Sequence, residues 1–150
     1  MRAILGAVRR AAEKYEYLRV IFPAHPAKEV RDAAEELSGA PNVLITPPLP
    51  LPEFHRLINE SDLILSDSGG VCEEAVSLGK PFLLARNTTE RPEGIASGGV
   101  VPVGTDGDAV FKALCRFIES PDERKKATAR QNPFGDGHAS ERIADIIASL

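Results

Sequence analysis

Short apolar runs alternate with longer segments of helical period almost from end to end of these 150 residues. Residues 18–22 (LRVIF), 43–46 (VLIT), 63–66 (LILS) and 81–85 (PFLLA) read as strands, with 100–103 as a short fifth. Between them, residues 28–37, 53–59 and 71–78 read as crossover helices, and 106–119, 121–130 and 139–150 as helices that follow the last strand. Runs this apolar suit strands covered on both faces, and parallel neighbours need helical crossovers of this length. The expected fold class is therefore α/β: a Rossmann-like, doubly wound parallel sheet forming a single domain over residues 1–150. Such sheets hold ligands beyond the carboxyl ends of their strands. One irregularity stands out. The chain opens with an amphipathic helix over residues 1–15, and nothing before Leu18 can serve as the first, central strand of a doubly wound sheet.

Charge and composition narrow the partners. A formal net charge of -4 argues against a general nucleic-acid binder, whose surface would be basic. Aromatics make up only 5% of the chain, so the core is expected to rest on Ala, Val, Ile and Leu. Cys72 and Cys115 have no CxxC or histidine spacing and read as small buried hydrophobes in a reducing compartment. No segment is long and apolar enough to span a membrane, and Arg9 and Arg10 follow the first apolar run rather than precede it. A cytoplasmic location and no membrane partner are expected.

The segment from Asp62 to Glu74 carries the most chemistry. A buried strand runs through Asp67-Ser68-Gly69-Gly70 directly into a helix. Adjacent glycines let the backbone approach a ligand, and free N–H groups at a helix start favour an anion. Ser68 offers a hydroxyl as well, and Glu74, one turn on, can accept hydrogen bonds from sugar hydroxyls. The same residues also fit a plain tight turn with Asp67 or Ser68 as N-cap, and the segment alone supports both readings equally. After the fourth strand, Arg86 to Glu93 crowds two arginines with acidic residues. There Arg91 can present its fork to a phosphate with Glu90 orienting it, ahead of a helix begun by Pro92. His25 stands at the carboxyl end of the first strand, His55 in a helix beside Phe54, and His138 in a loop. None has metal-ligand spacing, so no metal is expected. In the Asn132 to Ala139 connector, Asp136 is a candidate cap for the last helix.

Taken in order, Asp67-Ser68-Gly69-Gly70 with Glu73 and Glu74, Gly79-Lys80-Pro81, Thr88 to Glu93, Val103-Gly104-Thr105-Asp106, and Asn132 to Gly137 form one ordered set. That set resembles the C-terminal domain of the non-hydrolysing UDP-N-acetylglucosamine 2-epimerases over nearly the whole chain. The resemblance implies half of a GT-B fold, in which two Rossmann-like domains hold a nucleotide sugar between them. It also implies the family's interconversion of UDP-N-acetylglucosamine and UDP-N-acetylmannosamine, by elimination and re-addition of UDP, without metal or redox cofactor. Position by position, it makes Ser68, Gly69 and Gly70 the diphosphate turn, Glu74 the ribose carboxylate, Arg91 the basic residue of the loop, and Phe54 the neighbour of the uracil. His25 matches a histidine of a second, regulatory nucleotide-sugar site.

The chain also departs from the family pattern. Pro26-Ala27-Lys28 follows His25 where the family has an Asn-Pro pair close by, and Phe134 stands in place of a tyrosine. The family's N-terminal domain, with most of its acid and base carboxylates, and the strand carrying its Gly-His-Arg motif have no counterpart in these residues. The expectation is a UDP-sugar-binding domain inactive in isolation, partnered by an N-terminal domain or forming a homodimer, with the gap left by the central strand either closed up within the sheet or filled by a partner chain. The alternatives are a non-catalytic regulatory module for UDP-sugars and the nucleotide half of a GT-B glycosyltransferase.

Overall fold

In the computed structural model, which describes residues 1–128 and 131–150, the chain begins with α1 (Arg2–Lys14). Its buried side chains are small or compact: Leu5, Ala7, Ala11 and Ala12. The alanines let a second helix, α6 (Gly107–Glu119), approach closely with Val110, Leu114 and Phe117 facing them. How close is shown at Gly107, where a methyl group would lie 2.9 Å from the Ala3 carbonyl oxygen. Only glycine tolerates that approach without moving a backbone. Truncating the fully buried Phe117 to alanine would cost about 3–5 kcal/mol.

The strands lie within two residues of where the apolar runs placed them: β1 (Val20–Pro23), shifted towards Pro23, β2 (Val43–Thr46), as expected, and β3 (Ile64–Ser66), β4 (Phe82–Leu84) and β5 (Val100–Pro102), each trimmed by a residue or two. Leu18 falls outside β1 because its N–H turns back to the Tyr15 carbonyl at 2.9 Å. The crossovers are α2 (Lys28–Ala34), running into a 3-10 turn at Glu35–Leu37, then α3 (Leu51–Glu60), α4 (Gly69–Ser77) and the short α5 (Pro92–Ala96). After α6 come α7 (Pro121–Lys126) and α8 (Ala139–Ala148). The expected helix over residues 121–130 thus ends sooner, and its last two residues lie outside the described ones. α4 starts two residues earlier than expected, because both glycines join its first turn.

All pairing is parallel, in two separate sheets: β1 with β2, and β3–β4–β5 in that order. The central strand β4 is buried throughout, as a strand covered on both faces must be. No hydrogen bond joins β1 to β3 among the described residues, so the sheet is interrupted where the sequence lacks a first strand. α1 lies across that interruption. Its Leu5 packs with Ala33, Leu37, Phe22 and Val43 on one side, while Ala7 and Ala11 join Leu18, Leu65 and Leu83 on the other. Asn42, just before β2, fastens the end of α1 by donating from Nδ2 to the Ala12 and Leu18 carbonyls at 2.9 and 3.0 Å. The face of the smaller sheet away from α1 is open, with Ile21 43% and Leu44 57% exposed.

Two further features complete the frame. Cys72 is buried under α4 as expected, but Cys115 is only half-buried, beside Lys14, because it sits at the edge of α6. α8 buries none of its side chains, and Ile143, Ile146, Ile147 and, beyond it, Leu150 form one exposed stripe. Asp136 does not cap α8 with its carboxylate on the helix interior. Instead it accepts the His138 N–H at 3.1 Å and pairs with Arg142, which holds the first turn from outside.

Two outcomes follow from this packing. In each parallel ladder the bonded amides alternate, so those of Ile21 and Leu65 point into the interruption. Hydrogen exchange should be at least about tenfold faster at these two than at Phe82 and Leu84. At the far end of α1, Tyr15 donates to Glu119, and burial pushes its phenol up from 10.0 to about 12, with Cys115 and Glu119 adding to the shift. A folded-state value above the unfolded one stabilises the fold fully below pH 10.0 and is lost as pH climbs towards about 12. Thermal melts across that window should show the loss in the parent and not in Tyr15→Phe.

Candidate functional site

The carboxyl ends of β3, β4 and β5 open onto one edge, and the motif segments gather there. β3 delivers the chain to Ser68, which stays extended and caps α4, its Oγ accepting the Val71 N–H at 3.4 Å. The Ser68 N–H is itself held by Ser66 Oγ at 3.1 Å. With Val71 taken by the cap and Cys72 bonded to the Ser68 carbonyl at 3.0 Å, the N–H groups of Gly69 and Gly70 are left without acceptors among the described residues. These are the orphan donors of a helix start, aimed outward where the macrodipole is positive. Ser68 is thus the N-cap, as one of the two readings of this turn has it, and its hydroxyl proton remains free to donate.

The loop after β4 folds back over this turn. A methyl on Gly69 would lie 2.9 Å from Glu90 Oε1 and 3.9 Å from the Arg91 guanidinium carbon. Arg91 is thus at the helix mouth, as its place in the sequence suggested, but its orienting partner is different. Arg91 Nε donates to Glu73 on α4, whereas Glu90 pairs with Arg86 at 2.9 Å and stands 3.9 Å from Arg91 Nη1. The reason is reach: Glu90 and Arg86 close a short loop on each other, while Glu73 rises from the helix directly under the guanidinium. Hydrogen bonding to Glu73 raises the Arg91 guanidinium further above its ordinary value. A backbone hydrogen bond within Glu90 itself and the Arg86 guanidinium hold the Glu90 carboxyl below the usual range.

The neighbouring segments buttress this edge. Asn87 Nδ2 reaches Thr105 Oγ1 at 3.5 Å, tying the loops after β4 and β5, and Asp106 caps α6 by accepting the Ala109 N–H at 2.8 Å. Gly79, at φ +68°, ends α4 so that Lys80 N–H can return to the Ala75 carbonyl at 2.9 Å and start β4. Asn132 donates to Ser77 Oγ at 3.1 Å, and Phe134 packs over Gly94 and Val100, seating the connector on α4 and α5.

Glu74 lies one turn into α4. Its nearest polar neighbour is His55 of α3, with Nε2 3.5 Å from Glu74 Oε2, a contact that no motif in the sequence announced. Only the apolar residues Phe54 and Ile58, which set the face of α3 turned to α4, could have placed it. Phe54 is half-buried against Ile58, Cys72 and Ala75. His25 is exposed in the loop after β1, its Nδ1 accepting the Ala27 N–H at 3.2 Å, and no hydrogen bond or ion pair links it to the residues above. Two surface depressions, one beside Glu13 and Asn42 and one between Asn132 and Arg142, lie away from the glycine turn. The turn itself is an open shelf. Among the described residues no helix is long and apolar enough to cross a membrane.

A parallel, doubly wound arrangement with a glycine turn at the carboxyl edge defines a Rossmann-like domain of the kind that makes up half of a GT-B fold. The family model described as UDP-N-acetylglucosamine 2-epimerase matches residues 1–148, and the chain belongs to that family. It is 42% identical over 148 residues to the UDP-N-acetylglucosamine 2-epimerase of Bacillus subtilis, covering 98% of this chain and 39% of the relative. Among solved structures, the Neisseria meningitidis UDP-GlcNAc 2-epimerase bound to UDP-GlcNAc superposes with a TM-score of 0.93 at 37% identity, covering 99% of this chain and 40% of that one. The S. aureus MnaA–UDP co-structure gives 0.91 at 37% identity, covering 97% and 40%. The chain thus spans about 40% of the length of the relatives it matches.

The glycines of the turn make a clean test of local structure. Neither has a positive φ, a methyl on Gly70 meets nothing nearer than Ser68 Oγ at 4.0 Å, and at Gly69 its one close neighbour is the far end of the Glu90 side chain, with the Arg91 guanidinium at ordinary contact distance. Helix propensity favours alanine by up to about 1 kcal/mol. Gly70→Ala and Gly69→Ala should therefore melt no lower than the parent in thermal denaturation.

Proposed function

We propose that this chain is a single UDP-binding domain of epimerase type, holding the nucleotide of a UDP-sugar on the shelf at the start of α4. The observation that carries the reading is the pair of unbonded N–H groups at Gly69 and Gly70, with the Ser68 hydroxyl beside them and Arg91 closing over the turn. In this reading the two amides and the hydroxyl donate to the diphosphate oxygens and the Arg91 guanidinium adds charge. Glu74 accepts from the ribose hydroxyls, and the Phe54 ring lies along the uracil. Support comes from the two solved relatives of this fold, one bound to UDP and one to UDP-GlcNAc. His25, exposed at the end of β1, is proposed as a contact of a separate, regulatory nucleotide-sugar site.

The family reaction fits the shelf as a leaving-group site. Breaking the bond between the sugar C1 and the diphosphate oxygen, with loss of the C2 proton, leaves UDP to be stabilised and then added back with the other configuration at C2. Amide donors already fixed at a helix start do this without reorganising. Removing and returning the C2 proton needs a positioned base and acid, a role in which none of the shelf residues is cast. Carboxylates at Asp67, Glu73, Glu74, Glu90 and Glu93 also crowd the shelf against the guanidiniums of Arg86 and Arg91, so affinity rests on directed amides rather than on net charge.

Titration calorimetry should show UDP binding to the 150-residue chain with a Kd of about 10–1000 μM. Gly70→Ala, Ser68→Ala and Glu74→Ala should each weaken it, and for the glycine the loss comes without any drop in melting temperature. UDP-N-acetylglucosamine incubated with the chain alone should yield no manno epimer. Variants that bind UDP as the parent does would refute the assignment of the shelf.

A further inference from the structure

His55 and Glu74 form the one cross-helix pair near the shelf whose facing atoms are both withheld from solvent and both without a hydrogen-bond partner among the described residues. The side chains as wholes are 45% and 37% exposed, so the buried atoms, His55 Nε2 and Glu74 Oε2, are the inward ones. The exposure of the Glu74 side chain therefore falls on its other atoms. The placement has a cause in the packing. Phe54 and Ile58 of α3 are locked into the cluster with Cys72, Ala75 and Val76 of α4, which presses the intervening turn of α3 against Glu74. The neighbouring Glu73 is already engaged by Arg91 and does not compete for the imidazole.

We propose that His55 is a positioning residue for Glu74. Its Nε2–H braces Oε2 from behind, so that the other oxygen is presented in one orientation to the vicinal diol of the ligand's ribose. This rests on reading the shelf as a UDP site. At 3.5 Å the pair is slack, and a small rotation to about 2.9 Å makes a charge-assisted hydrogen bond. Leaving two buried polar atoms unpaired is unfavourable, so the pair has a standing reason to close. A carboxylate fixed at one oxygen loses its rotational freedom before the ligand arrives. That lowers the ordering cost of binding only for ligands that use the other oxygen. His55 thereby acts on the distinction between a ribose and a deoxyribose and not on the diphosphate.

The experiment compares UDP with 2′-deoxy-UDP by calorimetry in the parent, His55→Phe and His55→Gln. The parent should prefer UDP by about tenfold, the worth of one hydrogen bond to a charged acceptor. His55→Phe, which keeps the bulk but has no N–H, should bring the ratio towards one by weakening UDP more than 2′-deoxy-UDP, which keeps only the 3′-hydroxyl of the diol. His55→Gln, with an amide donor at similar reach, should restore most of the preference. A parent ratio kept in His55→Phe, or equal losses for both nucleotides, would overturn the role of His55 while leaving the UDP site standing. Binding of neither nucleotide by the parent would instead strike the site itself. A ligand-free check is nitrogen NMR of the imidazole: the Nε2–H tautomer is expected, and finding the proton on Nδ1 alone would also overturn the proposal.

Discussion

The seam between α1 and α6 is what makes one body of two small sheets. Neither the pair β1–β2 nor the trio β3–β4–β5 is bonded to the other, and a sheet of two strands has little stability of its own. α1 supplies the missing continuity through side chains rather than backbone. Its alanines admit Phe117 and Leu114 on one flank, while Leu5 reaches the α2 cluster on the other. Peripheral ties then fix the register of the seam, from Arg10 to Asp108 at 2.7 Å and from Lys14 to Glu119 at 3.0 Å. Each is exposed and worth little alone. Small residues at a crossing, here Ala7, Ala11 and Gly107, carry the architecture because they set how near two helices can come.

The same economy governs the carboxyl edge. One serine ends a strand, caps a helix and leaves a hydroxyl proton outward, and two glycines contribute donors without side chains in the way. Nothing about the shelf depends on a large positive field. Its guanidiniums are each matched to a carboxylate, Arg91 to Glu73 and Arg86 to Glu90, so their orientation is fixed within the fold itself.

Much of this was legible from the residues. Apolar runs located every strand to within two positions, the opening helix foretold the interrupted sheet, and the ordered motifs led to the family that the comparisons bear out. What stayed hidden was pairing across elements. Sequence adjacency offered Glu90 to Arg91, but a side chain rising from a helix beneath reached it more directly. His55 had no motif around it, and its meeting with Glu74 is fixed by how Phe54 and Ile58 pack, which is a tertiary fact. Asp136 looked like a cap and proved to be an ion-pair partner, because the helix after it begins only at Ala139. The half-buried state of Cys115, beside Lys14 of α1, is likewise a matter of how two helices meet, which no local pattern encodes.

α8 stands apart from all these contacts. Ten residues in water give too few turns to offset the cost of nucleating a helix, and this one draws no support from the core. The ion pair of Arg142 with Asp136 and the contact of His138 with Glu141 at 2.9 Å steady only its first turn. Its coiling is thus thermodynamically uncoupled from the rest: the isoleucine ridge can melt and re-form while the β3–β4–β5 core stays intact. The last dozen residues bury no side chain, so loosening them leaves the packed interior of the domain unchanged.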